Sequence, residues 1–108
     1  MISMMQYKTN DIPNEAQLNY LKILISKIFK ILPMKEQNIA TVNVHIDSLL
    51  TELIGYKDLF EYVQNDARLL TVICTLRALL NNDVSHSVCK REVFKCIKCI
   101  EQLIEEAS

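Results

Sequence analysis

The strongest constraint on this chain lies in residues 67–80, ARLLTVICTLRALL. Wound as an α-helix, this stretch is apolar over nearly its whole circumference. Leu69, Leu70, Val72, Ile73, Leu76, Leu79 and Leu80 cover one broad side, and Ala67, Cys74 and Ala78 extend it. Arg68, Thr71 and Thr75 form a narrow polar strip, with Arg77 isolated among apolar neighbours. A helix of that character belongs inside something. Fourteen residues carrying two arginines are too short and too charged to span a bilayer. The stretch therefore predicts the buried central helix of a bundle, or a helix shared with a second subunit.

A chain of 108 residues corresponds to one domain and can bury a core without metal or disulfide staples. Half the residues are apolar, with one Gly and two Pro, a composition far from that of disordered chains. Net charge is −1, which gives no global electrostatic reason to expect nucleic acid or an anionic membrane as partner. The opening MISMMQYKTND lacks the apolar run of a signal peptide, so a cytoplasmic protein is expected. The four cysteines then read as reduced thiols. Heavy use of Ile, Lys and Asn is the signature of an AT-rich genome, such as that of a low-GC Gram-positive bacterium or its phage.

Residues 1–13 read as a partly ordered lead-in, and residues 14–108 as a single helical-bundle domain. Asn14 followed by Gln17 approximates a capping box, opening a first helix that Pro33 should stop near residue 32. Its apolar arc is Leu18, Leu21, Leu24, Ile25, Ile28, Phe29, Ile31 and Leu32; the opposite face carries Asn19, Lys22, Ser26, Lys27 and Lys30. A second helix is predicted from about residue 38 to 54, with Gly55 as a left-handed stop. Residues 56–63 make two further turns. At residues 64–66 the reading favours a break, with Asp66 capping the central helix, over one continuous rod. Asn81, Asn82 and Asp83 should end that helix. Ser85 or Ser87 can cap the last one, whose core stripe is Cys89, Val93, Cys96, Ile97, Ile100, Leu103 and Ile104. The expected fold is all-α: an up-and-down bundle of four main helices with a possible short fifth.

Chemistry-bearing patterns are thin. Cys96 and Cys99 sit three apart on a helix, and two thiolates so placed can share a zinc ion, with His45 or His86 as further ligands. Only one such pair is present, however, and Cys89 and Cys96 fall in the apolar stripe, where a thiol behaves as a small hydrophobe. No metal and no cofactor is expected. His45 and His86 read as surface residues. No nucleophile stands at recognisable spacing from a base, and one glycine leaves no phosphate-cradling loop. The chain does not read as an enzyme.

Charge is segregated along the chain. Residues 14–35 carry four Lys against one Glu, residues 36–66 six acids against one Lys, and residues 67–100 six bases against two acids. In an up-and-down bundle the first and last helices are neighbours, which brings two lysine-bearing faces together. Solvated faces explain that charge more simply than a nucleic-acid site does, because aromatic interleaving is missing. Ile23 and Phe94 interrupt those faces. The predicted partner interface is accordingly Ile23, Lys27, Lys30, Arg91, Phe94, Lys95 and Lys98.

Three blocks, IFKILPMKE (28–36), IDSLLTELIGY (46–56) and REVFKCIKCIEQL (91–103), resemble small uncharacterised helical proteins of phages and prophages of low-GC Gram-positive bacteria. The resemblance implies a mobile-element origin and carries no activity. The reading is a non-enzymatic helical protein–protein interaction module, working as a homodimer. A bacteriocin-immunity-type bundle, similar in size and helical, is the second reading. A nucleic-acid-binding regulator using lysines of the first and last helices is the third.

Overall fold

The computed structural model describes residues 15–107, so the predicted lead-in and the Asn14 cap lie outside the described residues. The elements are α1 (Glu15–Phe29), α2 (Ile31–Glu36), α3 (Val42–Leu59), α4 (Glu61–Gln64), α5 (Ala67–Asn81) and α6 (His86–Ala107). There is no strand among the described residues. The four long helices pack in the ring order α1–α6–α5–α3, with α2 closing one end against α3 and α6. Neighbours run antiparallel. Tyr20 stacks on Tyr56 while His45 bonds the Lys27 carbonyl, which sets α1 against α3. Arg68 at the start of α5 meets Glu106 at the end of α6. The expected all-α bundle is what forms.

Its core draws Leu21, Leu24 and Ile28 from α1, and Ile46, Leu49, Leu50 and Leu53 from α3. From α5 come Leu69, Val72, Ile73, Leu76 and Leu79, and from α6 Cys89, Val93, Cys96, Ile97, Ile100 and Leu103. Each large side chain removed from water contributes about 1.5–3 kcal/mol before chain entropy is subtracted. The α6 stripe is buried as its spacing predicts, apart from the half-buried Ile104.

The helix ends follow local chemistry. The Asp66 Oδ1 accepts the Arg68 N–H at 2.8 Å, capping α5 and settling the break before it. The Ser85 Oγ accepts the Val88 N–H at 3.3 Å and caps α6. Asn82 is extended and stops α5.

Pro33 acts three residues earlier than expected. It has no N–H for the Phe29 carbonyl, so the helix is interrupted at Lys30 and then resumes through Pro33 to Glu36. A proline is tolerated in that first turn because an N–H there would have no intrahelical partner. The predicted start of the second helix, near residue 38, is instead the end of α2. Asn38 adopts φ 54°, and the N–H groups of Asn38 and Ile39 bond the carbonyls of Lys35 and Met34. That is a Schellman motif with asparagine in the left-handed position. Gly55 is no stop. Its φ is not positive, and α3 runs through it to Leu59, breaking at the extended Phe60.

The central helix also needs correction. One side of α5 is buried, but Ala67, Leu70, Cys74, Arg77 and Ala78 face solvent. Thr75, assigned to the polar strip, is buried against Cys96. In a ring of four helices each has only two close neighbours, so an apolar circumference exceeds what the bundle covers.

Candidate protein-interaction face

The predicted interface residues divide into two groups once the helices are packed. Lys27 lies on the α1 flank that faces α3. Its Nζ donates to both Glu52 oxygens, at 3.1 and 3.2 Å, and the Tyr20 hydroxyl donates to Glu52 Oε1 at 3.1 Å. Burial, then the Glu52 charge, raises the Tyr20 pKa and keeps that phenol protonated. His45 is no free surface residue: its Nε2 lies 2.8 Å from the Lys27 carbonyl, so the ring nitrogen donates there. Lys30 lines the same shallow cleft beside Lys27, His45 and Glu52.

On α6, Arg91 and Lys95 share Glu92, with contacts of 3.4 and 3.0 Å. The Lys95 bond, with smaller help from Arg91, holds the Glu92 carboxyl below the usual carboxylate range. Lys27, Arg91 and Lys95 therefore already have acidic partners.

Phe94 is different. It stands on the α1 side of α6, 44% exposed, and meets Phe29 of α1 edge-on with ring centroids 6.0 Å apart. Phe29 is itself 48% exposed, and Ile23, on the outer side of α1, is 55% exposed. Lys90 and Lys98 sit one turn either side of Phe94, and Lys22 lies two turns before Phe29 on the same flank. Among the described residues, Lys22, Lys30, Lys90 and Lys98 enter no ion pair. Two half-open aromatic rings thus mark the α1–α6 seam, with Lys22, Lys90 and Lys98 around them and the exposed Glu101, seven residues after Phe94, on the same face of α6.

Phe29 is the member that sequence reasoning misplaced. It falls within the apolar arc of α1, but at its edge. The signal was available in its spacing from Lys22, since residues seven apart share a helix face.

Elsewhere the thiols are packing groups or isolated. Burial pushes the Cys96 thiol up to about 12 and raises Cys89, while Cys74 is exposed on α5 and Cys99 half-buried. Among the described residues no three His, Cys, Asp or Glu side chains converge as a metal-ligand set. A cleft of about 660 Å³ between the α2–α3 and α5–α6 turns is lined by Lys35, Glu36, Asp83 and His86. Its mixed charges favour no one ligand sign. Among the described residues no helix is long and apolar enough to cross a membrane. Compared with protein-family models, curated proteins and solved structures, the chain has no match.

Proposed function

We propose that this protein is a non-enzymatic interaction module of phage or mobile-element origin. It binds protein through the α1–α6 seam and self-associates there. The observation that carries the reading is the Phe29–Phe94 pair, edge-on and close to half exposed on each ring. Covering the open half of such a ring contributes roughly 2 kcal/mol. Aromatic anchors of this kind dominate binding energy at interfaces, and the surrounding lysines would then steer an acidic partner surface into register.

Sedimentation equilibrium tests this on the wild-type chain and on the double variant Ile23→Asp/Phe94→Asp. Both side chains are exposed, so the fold should survive, as circular dichroism will verify. The reading requires a wild-type mass that rises with concentration and a variant that stays monomeric. Equal association by both proteins would remove the seam from the interface.

A further inference from the structure

On the flank of α1 that faces α3, three aromatic rings meet at one end of the bundle. Tyr20 of α1 stacks on Tyr56 of α3 with ring centroids 4.9 Å apart, and Tyr56 in turn meets the Phe60 ring at 4.9 Å. Together with Ala16 and Gln17 they line an open cleft of about 480 Å³, room for side chains rather than for a single water. Tyr56 is buried, and Tyr20 and Phe60 are half-buried. None of these five lining residues is ionised at neutral pH, so the cleft suits an apolar occupant.

The chain that enters α1 beside this cleft carries such an occupant. The residues ahead of Glu15 include Met1, Ile2, Met4, Met5, Tyr7 and Ile12, against two charged side chains, Lys8 and Asp11. Ten residues separate Met5 from Ala16, which lines the cleft. A tether of that length keeps the two at an effective concentration on the order of millimolar. Pro13 disfavours helical backbone at Ile12, so the segment need not continue the α1 axis away from the bundle. We propose that residues 4–12 fold back over this end of the bundle and seat the Met4-Met5 pair in the Tyr20–Tyr56–Phe60 cleft of their own chain. Methionine suits the place. It is unbranched and polarisable, it fills irregular apolar gaps, and its sulfur is attracted to aromatic rings about 5 Å away. A partner from solution would need the same apolar chemistry without the advantage of the tether. The contact uses the α3 side of α1 and leaves the α6 side untouched, so it stands or falls independently of the seam.

NMR of the full wild-type chain with isotope-labelled methionine methyls tests this, because the chain has four such groups, on Met1, Met4, Met5 and Met34. Met4→Leu and Met5→Leu variants assign the two signals of interest. A methyl of the pair should be displaced upfield by the rings and give NOE cross-peaks to ring protons of Tyr20, Tyr56 or Phe60. Those cross-peaks should persist on dilution and lie within one chain. Both methyls at the positions of unfolded methionine, with no cross-peak to any ring, would overturn the proposal. Cross-peaks to Phe29 or Phe94 instead would move the segment to the seam and overturn it as well. So would cross-peaks found solely between differently labelled chains in a mixed sample, since the occupant would then be a second copy.

Discussion

Replacing Asp66 with alanine should destabilise the bundle by about 1–2 kcal/mol. The carboxylate does two things at the start of α5. Its Oδ1 accepts the Arg68 N–H at 2.8 Å, and losing such a cap costs about 1 kcal/mol. It also holds the Arg68 guanidinium through Nε at 3.0 Å and Nη2 at 2.7 Å, while the same guanidinium reaches both oxygens of Glu106 on α6. This network is partly solvated, so it adds only a few tenths of a kcal/mol up to about 1. For a domain of this size the sum corresponds to a fall in Tm of roughly 4–12 °C. Asp66→Asn keeps an oxygen that can cap and loses only the charge, so it should lie within about 1 kcal/mol of wild type. The two variants also differ from wild type in their response to pH. The Arg68 side chain, foremost, holds the Asp66 carboxyl below its ordinary value. That contribution is complete above the unfolded carboxylate pKa of about 4 and is lost as pH falls through the folded value. The gap between wild type and Asp66→Asn should therefore close on acidification. Thermal melts followed by circular dichroism between neutral pH and about pH 3 measure all of this. If Asp66→Ala melts with wild type, or Asp66→Asn is as damaging as Asp66→Ala, the capping argument is refuted.

Three further outcomes are expected. Gly55→Ala should stabilise the protein by roughly 0.5–1 kcal/mol, because Gly55 sits inside α3 without a positive φ and with open space around it; a lower Tm would mean its backbone is special after all. Leu24→Ala and Ile100→Ala, both fully buried, should each cost about 2–5 kcal/mol in denaturant melts, and a loss under 1 kcal/mol would deny them a place in the core. In the native protein a thiol reagent at neutral pH should label the exposed Cys74 first and spare Cys89 and Cys96 until unfolding; rapid native labelling of Cys96 would contradict its burial.

Helix type and core membership were legible because they depend on periodicity, which is local. The α6 stripe and the capping roles of Asp66 and Ser85 could be read directly for that reason. Helix ends were less legible wherever two signals competed. A proline after an apolar arc signals a stop, yet the missing N–H of Pro33 can fall in the first turn of a new helix as well as after the end of an old one. A glycine near the end of a periodic stretch signals a left-handed terminus, but only a local demand for positive φ makes glycine a stop, and that demand falls on Asn38 and not on Gly55. The overestimate for α5 has another origin. An apolar circumference says that a surface is suited to burial, not that a neighbour exists to bury it. The seam was half visible. Phe94 and Ile23 stood out against lysines, whereas Phe29 blended into its own apolar arc until α6 was packed beside it. The pairing of Lys27 with Glu52, and of Arg91 and Lys95 with Glu92, depends on rotamers and on which flank meets which neighbour. Composition alone could not separate those cations from the unpaired ones.

The central claim is that the aromatic seam between α1 and α6 is a binding surface for a second copy. Native mass spectrometry of the wild-type chain, sprayed at low ionic strength over a rising concentration series, tests it most directly. The account predicts masses at integral multiples of the chain, growing with concentration and shrinking when Phe94 is replaced by Asp. A monomer at every concentration, or oligomers indifferent to that replacement, would contradict it.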